Sequence, residues 1–304
     1  MKKLILLLAL LLFTISFSFS QVLKLNLTVG ESYYHDNETK VIMTQELQGE
    51  SLISDISYGG KMSFLVKKKT DSIYHLEVRF QTIYLKVNSN GNEISANSQK
   101  VDSTNILSLL LKELTRTPFD ISITKYGVVQ DVKMEKVFDN LFSFDPEIPK
   151  IEKARMIYML KQSFGEKAMK GSIEMLTAIY PEKPFKEGDE WKNKIRLETV
   201  SGVTMENKFV LDELNKHFAI INSQSNAVSD ENNSFINING EFLRFNSKGS
   251  MHSTFKIDTS TGWIIESEIN QNISGINEKK WREDSSIILK TPFEYVGSIK
   301  LKSE

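Results

Sequence analysis

In the segment IYHLEVRF, residues 73–80, apolar and polar side chains alternate at every position after the first. The apolar members of the alternation are Tyr74, Leu76, Val78 and Phe80. Because successive side chains of a β-strand point to opposite sides, the pattern predicts a strand with one buried face and one face in water. Strands of this kind are typical of an antiparallel sheet that is covered on one side only.

Four further segments repeat the alternation, and turn-forming residues separate the strands. The segments are VLKLNLTV (22–29), FDISIT (119–124), KIRLETV (194–200) and FEYVGSIKL (293–301). In the first of them, Leu23, Leu25, Leu27 and Val29 are predicted to share one face. Glycine-containing turn signals occur at 89–91, 239–240 and 258–262. We therefore expect a mainly antiparallel β structure.

The middle of the chain has a helical pattern instead. A first helix is predicted over 102–114, with Asp102 as its N-cap, and a second over 134–142. A third begins after Pro149, and its apolar face is formed by Met156, Met159, Leu160 and Phe164. The pattern resumes beyond this helix and ends at Pro181. The order of strands, helices and strands predicts an α+β fold.

Two pairs of motifs suggest that the β-rich parts are copies of one unit. VGESYY (29–34) resembles EGDEW (187–191), and FDISITKYGVV (119–129) resembles FKIDTSTGWII (255–265). An internal duplication explains both pairs, and independent use of the same turn chemistry is the alternative. We expect two β-rich repeats, forming a curved sheet or half-barrel, with a helical segment between them.

The predicted organisation has four parts. Residues 1–20 are a signal peptide, and 21–133 are an N-terminal β-rich repeat with one helix. Residues 134–180 are the helical segment, and 181–304 are the C-terminal β-rich repeat. An exported chain of this length is held together by an ordinary hydrophobic core, because it has no cysteine for disulfides.

The first twenty residues predict export. Lys2 and Lys3 form a basic start, residues 4–13 are apolar, and the small residues Ser18 and Ser20 stand where a signal peptidase would cut. The alternative is an uncleaved anchor. The absence of cysteine excludes a bacterial lipoprotein, which needs a lipidated cysteine, and excludes thiolate metal sites. We expect a periplasmic, extracellular or cell-surface protein that is not a lipoprotein.

The charge balance excludes two classes of partner. Without Lys2 and Lys3, 36 basic residues face 39 acidic ones. Such a balance gives no electrostatic reason to expect nucleic acid or an anionic membrane as a partner. No apolar stretch after the signal approaches the length of about 20 residues that spans a bilayer. We therefore expect no transmembrane segment once the signal is cleaved.

Glu187, Asp189 and Glu190 form an acidic cluster that has two interpretations. Carboxylates can bind a metal or act as a general acid and base, and acid–base work needs at least one shielded carboxylate. The alternative is a polar turn, in which Gly188 supplies an unusual backbone conformation. The related motif at 29–34 keeps the glycine but has only one acid, which favours the turn. We expect no metal, cofactor or catalytic residue here.

The other motifs give no sign of an enzyme. His35, His75, His217 and His252 are scattered and have no metal-ligand spacing, and no nucleophile elbow or phosphate-binding glycine loop is present. The stretch DTSTGW (258–263) begins like a calcium loop but has Ile269 where an EF-hand needs glutamate. It is predicted to be a hairpin turn with Gly262 at positive φ.

Methionines on the predicted helices are the one feature with ligand-binding character. An apolar groove is predicted to be lined by Met156, Met159, Leu160, Met169 and Met175. Methionine side chains can form a pliable apolar surface that accepts acyl chains, and they also fill ordinary cores. Both interpretations remain open from the sequence.

The motifs LNLTVGESYY, ARMIYMLKQSFGEKAM, YPEKPFKEGDEW and DTSTGW together resemble an uncharacterised family of unknown function. The resemblance covers nearly the whole mature chain and implies an exported protein of Bacteroidetes-type bacteria. It brings no activity and no functional residues. The order of strands and helices is more loosely similar to the lipoprotein-carrier (LolA/LppX-like) proteins, which implies a curved antiparallel sheet wrapped over helices.

The leading functional hypothesis is therefore an exported, non-enzymatic protein that holds an apolar ligand, such as a lipid or acyl chain, between sheet and helices. The first alternative is a structural or protein-interaction module of the cell envelope that pairs through exposed strand edges. A hydrolase is the third.

Overall fold

A computed structural model describes residues 22–47, 49–100, 102, 104–139, 141–145, 147–197, 202–230, 234–238 and 240–303. The predicted export signal lies outside these residues, as do Asn239 of one predicted turn and the last three residues of the strand predicted at 194–200. None of the helices within the described ranges is both long enough and apolar enough to cross a membrane.

Fourteen strands and four helices follow one another along the described chain. The strands are β1 (Ser32–Leu47), β2 (Glu50–Lys69), β3 (Ile73–Phe80), β4 (Tyr84–Ser89), β5 (Asn92–Asn97), β6 (Phe119–Thr124), β7 (Val129–Lys133), β8 (Glu190–Leu197), β9 (Val203–Leu214), β10 (Phe218–Ser229), β11 (Ile236–Ile238), β12 (Glu241–Asp258), β13 (Ile264–Lys280) and β14 (Leu289–Lys302). The helices are α1 (Ile106–Arg116), α2 (Glu135–Asp139), α3 (Lys150–Phe164) and α4 (Glu166–Thr177).

All strands belong to one antiparallel sheet, which confirms the predicted α+β class. The main path runs β7-β6-β3-β2-β1-β14-β13-β12-β10-β9-β8. We call β1–β7 the first group of strands and β8–β14 the second group, and β14 joins the second group to β1 of the first. The two ends of the path, β7 and β8, both pack against α4. The sheet therefore curves around until one helix occupies the gap between its edges, and it is not closed by hydrogen bonds.

The strand predicted at 22–29 is wrong, although three of the four residues predicted to share its apolar face are buried. Leu23, Leu25 and Leu27 are buried, but the segment is extended chain outside the sheet ladder, and Val29 is exposed. Its backbone is held at two hairpin turns: the Leu25 amide donates to the Lys125 carbonyl at 2.8 Å, and the Asn26 amide donates to the Thr261 carbonyl at 2.7 Å. These turns and this segment cover one end of the sheet, which we call the closed end.

The four helices confirm the helical middle, with local corrections. The predicted N-cap Asp102 folds into a turn with Thr104, and Asn105 caps α1 by accepting from the Ser108 amide at 3.0 Å. The second helix is shorter than predicted. Met159 was expected on the buried face of α3, yet its side chain is 59% exposed. Of the described side chains of α3, only Leu160 is buried, because this helix packs chiefly against α4 and not onto the sheet.

Candidate functional site

The acidic motif at 187–191 and its relative at 29–34 form the same turn. The Gly188 amide donates to the Leu211 carbonyl at 2.8 Å, and the Leu211 amide donates to the Asp189 carbonyl at 3.1 Å. In the first motif the Gly30 amide donates to the Val66 carbonyl at 2.9 Å, and the Val66 amide donates to the Glu31 carbonyl at 3.0 Å. Both glycines have positive φ, 84° and 90°. We call these the entry turns, since each leads into the first strand of its group.

The three acids of the second entry turn each have a different structural partner. Glu187 Oε1 accepts from the Leu214 amide at 2.7 Å, and Asp189 Oδ2 accepts from the Lys186 amide at 3.1 Å. Glu190 forms an ion pair with Lys208 at 2.8 Å. No group of three His, Cys, Asp or Glu side chains within the described ranges is placed to hold a metal. The geometry of these carboxylates is that of a turn.

An aromatic side chain anchors each entry turn to the sheet. Trp191 stacks on Phe209, its direct cross-strand partner, with ring centres 5.5 Å apart. Its Nε1 donates to the Ile179 carbonyl at 3.1 Å. Tyr33 is the direct cross-strand partner of Phe64 on β2, and its ring lies 5.1 Å from that of Trp263. The motif thus specifies a backbone turn followed by an aromatic anchor.

The DTSTGW stretch is the predicted hairpin turn, with Gly262 at φ 68°. Asp258 Oδ1 accepts from the amides of Ser260 and Thr261 at 2.9 and 2.8 Å, and also from both hydroxyls. Partial burial by itself would raise the pKa of Asp258, but these hydrogen bonds hold it below its usual value. The oxygen that a calcium ion would need is engaged by the turn itself.

The four histidines lie apart. His35 is buried, its ring stacks on Trp263 at 4.4 Å, and its Nε2 has no hydrogen-bond partner within the described structure. Burial lowers the pKa of His35 to about 3. His75 contacts Ser122 Oγ through Nδ1 at 3.0 Å, a pair that a sequence separation of 47 residues hides from sequence inspection.

The His75–Ser122 pair lacks the surroundings of a nucleophilic site. Both residues lie on the outer face of two paired strands, β3 and β6, whose backbone groups are committed to the sheet ladder. An oxyanion hole needs free backbone donors directed at one point. The serine–histidine contact on β3 and β6 therefore lacks the backbone donors that acyl transfer requires.

Four of the five residues predicted to line an apolar groove lie in or against the main core, and the fifth does not. Leu160 and Met169 are buried in the main core, Met156 is partly buried against it, and Met159 points into solvent. Met175 faces a cavity between α4 and the second group of strands, with a volume of about 10 Å³. This volume holds about one water molecule and no acyl chain.

The inner face of the sheet changes character along the strands. Near the closed end it is buried, as Phe64, Phe255 and Ile257 show. At the other end, which we call the open end, a row of paired residues crosses β1, β14 and β13: Met43 faces Tyr295, and Tyr295 faces Ile273. All three are only partly buried. The helices pack chiefly against β3, β5, β7 and β8, away from this row.

Three glycines shape this inner face. Gly249, Gly275 and Gly297 lie on β12, β13 and β14. A Cβ at each position would first meet a backbone carbonyl oxygen of a neighbouring strand, at 2.1–2.6 Å, and it would also approach Ile273 Cγ1 to 2.7 Å, Phe293 Cε1 to 2.9 Å and Val41 Cγ2 to 2.9 Å, respectively. Each glycine thus leaves room for a neighbouring apolar side chain to lie across its strand. A glycine inside a strand pattern is visible in the sequence. Which neighbouring side chain it makes room for depends on how the strands pair, and the sequence does not give that pairing.

The fold and the apolar inner face define a β-rich protein with a curved, unclosed sheet. Residues 71–264 match the model of a family of unknown function, DUF6263, and the chain belongs to that family. This confirms the expected membership in a family of unknown function. No curated protein matches the chain.

Solved structures with related shapes have very low sequence identity. One, of lipid–protein interactions in lipovitellin, is similar over 92% of this chain with a TM-score of 0.49 and 8% identity. This chain covers 25% of that one. An outer membrane channel from Pseudomonas putida F1 has a TM-score of 0.26 and 7% identity over 92% of this chain and 97% of its own. The OccK7 protein of Pseudomonas aeruginosa has a TM-score of 0.24 and 5% identity over 90% and 99%.

Proposed function

We propose that this chain is an exported, non-enzymatic envelope protein that binds an apolar ligand, a lipid or acyl chain, on the inner face of its sheet at the open end. One observation carries the proposal: the inner face keeps its apolar side chains at the open end, where none of the described helices packs closely on them. An apolar surface left partly exposed is a common mark of a ligand or partner site.

The proposed site has the composition of a lipid-binding surface. Its apolar side chains come from four neighbouring strands, β2, β1, β14 and β13, and span about 15 Å at the usual strand spacing. They are Ile56, Met43, Phe293, Tyr295 and Ile273. Aromatic and flexible methionine side chains adapt to the shape of an acyl chain. The site replaces the one expected between sheet and helices, where the cavity beside Met175 is too small.

Polar groups beside the apolar surface can orient a ligand. Gln271 Nε2 donates to the Tyr295 hydroxyl at 3.3 Å, and Tyr58 interacts with the same hydroxyl. Burial and the neighbouring Tyr58 raise the pKa of Tyr295, so that it remains a neutral donor. A few placed polar groups in an apolar lining are what fix the orientation of a bound ligand. An ester or carboxyl oxygen is the group that would accept hydrogen bonds from such donors.

The test compares two neighbouring residues on opposite faces of β1. Met43→Asp places a charge on the inner face, and Ile42→Asp places the same charge on the outer face, where Ile42 is 56% exposed. We expect native mass spectrometry of the mature protein, purified from envelopes, to show bound lipid in the wild type and in Ile42→Asp. The Met43→Asp protein should lose it, because a carboxylate is costly beside a hydrocarbon chain.

Circular dichroism melting would establish that both variants are folded. The proposal fails if the wild type carries no lipid and takes up no fatty acid or phospholipid offered in vesicles. It also fails if both variants lose lipid equally, since the inner face would then have no special role.

The interaction-module alternative has weaker support. Edge strand β8 carries Lys192, Lys194 and Arg196 in exposed positions. Charges along an edge discourage pairing with another chain. A stoichiometric protein partner recovered from envelope extracts without lipid would favour this alternative over ours.

A further inference from the structure

On the outer face of the sheet, across strands β8, β9, β10, β12 and β13, lies a groove of about 460 Å³. Two adjacent rows of cross-strand neighbours form its floor. One row consists of Glu190, Val210, Asn222, Thr254 and Glu268. The other consists of Lys208, Gln224, His252 and Asn270. We call this the outer groove, and its volume falls within the range of about 300–1,000 Å³ that is usual for ligand sites.

We propose that the outer groove binds a neutral oligosaccharide. The centre of the groove presents amide, hydroxyl and imidazole groups, and each of these side chains can both donate and accept hydrogen bonds. Sugar hydroxyls have the same dual character. The rigid sheet holds the groups at fixed spacings, about 4.8 Å between strands and about 7 Å along a strand.

The central side chains are available to a ligand. Gln224, His252 and Asn270 are exposed and lie side by side on β10, β12 and β13. Their side chains have no hydrogen bonds with other residues in the described ranges. Asn222 Oδ1 accepts from the Thr254 hydroxyl at 2.8 Å, which leaves the amide nitrogen of Asn222 as a donor. The groove thus offers a row of polar groups whose bonding capacity is largely unused.

The charges of the groove favour a neutral ligand. Glu190 pairs with Lys208 at 2.8 Å at one end, and Glu268 lies 3.8 Å from Lys300 at the other. Each charged group is thus accompanied by one of opposite sign, and the centre carries no acid and no lysine or arginine. A phosphate or polyanion needs an excess of basic groups, which this surface does not have.

Two other ligand classes fit less well. Val210 is the one apolar side chain among the outward-facing residues of the groove, so an acyl chain would bury little apolar surface. A peptide strand binds by pairing with a free sheet edge. The groove crosses the strands, and the backbones of β9, β10 and β12 are each paired on both sides.

The test uses full-length mature protein and three neutral probes: maltohexaose, cellohexaose and chitohexaose. The groove variant is the double substitution Gln224→Ala with Asn270→Ala. The matched control is Asn226→Ala with Asn272→Ala, which changes exposed amides on the same two strands and the same face, two residues beyond the groove. Isothermal titration measures binding, and melting curves show that both variants fold.

We expect saturable binding of at least one probe, weakened about tenfold in the groove variant because two hydrogen-bonding groups are lost. The control variant should bind like the wild type. Absence of binding to all three probes would overturn the proposal, as would equal weakening in both variants. These results are independent of the lipid experiment, which concerns the opposite face.

Discussion

The two entry turns have the same backbone but different side-chain surroundings. Gly30 and Gly188 make equivalent hydrogen bonds to the second strand of their groups, and an aromatic residue follows each three positions later. Two positions further on the two motifs differ: His35 follows the first entry turn and Asn193 follows the second. Asn193 donates to the Ala178 carbonyl and accepts from Asn207 at 2.7 Å.

His35, by contrast, lies among aromatic rings and leaves its Nε2 unsatisfied within the described structure. The same backbone turn is therefore followed in one case by a residue in an aromatic cluster, His35, and in the other by a residue in a polar network, Asn193. Main-chain hydrogen bonds fix the turn, and the surrounding elements decide which side chains the interior accepts.

The largest expected effect is a difference in the free energy of unfolding between alanine substitution at the hairpin glycine, Gly262, and at the two entry-turn glycines. A Cβ at Gly262 would lie 2.1 Å from the Lys24 carbonyl oxygen, whereas at Gly30 and Gly188 it would meet nothing within 4 Å. We expect Gly262→Ala to lower the free energy of unfolding by about 3 kcal/mol or more, because backbone must move in addition to the positive-φ cost. Gly30→Ala and Gly188→Ala should each cost about 1 kcal/mol.

Urea denaturation of the three glycine variants measures these differences. If Gly262→Ala were as mild as the other two, the packing of segment 23–27 against the hairpin turn would be looser than described. If Gly30→Ala and Gly188→Ala differed strongly from each other, the entry turns would not be equivalent.

The second effect is a pH dependence that arises beside the first entry turn, at His35. The pKa of His35 is lowered by burial from 6.5 to about 3, so below pH 6.5 the unfolded chain takes up a proton that the folded chain does not. Stability from this group is complete above pH 6.5 and falls as the pH drops towards about 3. Between pH 7 and 4.5 we expect a loss of about 2–3 kcal/mol from His35.

The matched variants are His35→Phe, which keeps an aromatic ring without a titrating group, and His217→Gln at an exposed position. Urea denaturation at pH 7 and at pH 4.5 should show a smaller pH loss for His35→Phe than for wild type. His217→Gln should behave like wild type. Equal losses in all three proteins would mean that His35 is accessible or paired when folded.

Alternation predicted the faces of the strands but not what covers them. FEYVGSIKL places Phe293 and Tyr295 on the same face as Leu301, as the sequence indicates, yet Leu301 is buried and the other two are partly exposed. The difference arises because the closed end is covered by distant parts of the chain, such as segment 23–27 and the hairpin turns. Periodicity within one strand contains no information about these neighbours.

Other differences between the sequence predictions and the structure have equally specific causes. Segment 22–29 alternates like a strand because its leucines enter the core, but it meets its neighbours at turns, where no ladder can form. Met159 fits a helical spacing, yet the apolar residues of α3 do not form a single face, since Ile151 is also exposed. The outer groove joins side chains from five strands, and their order in the sheet cannot be read from spacing.

The smallest expected effect concerns the acids of the second entry turn. Glu187→Ala removes the acceptor of the Leu214 amide and should cost about 1 kcal/mol in urea denaturation, because one hydrogen bond at a partly exposed site is lost. If the cluster is a turn and not a metal site, millimolar calcium or magnesium should leave the melting temperature of the wild type unchanged. A metal-dependent rise that disappears in Glu187→Ala would contradict this interpretation. It would also distinguish the two entry turns, since the first has only Glu31 in the corresponding stretch and could not bind the ion in the same way.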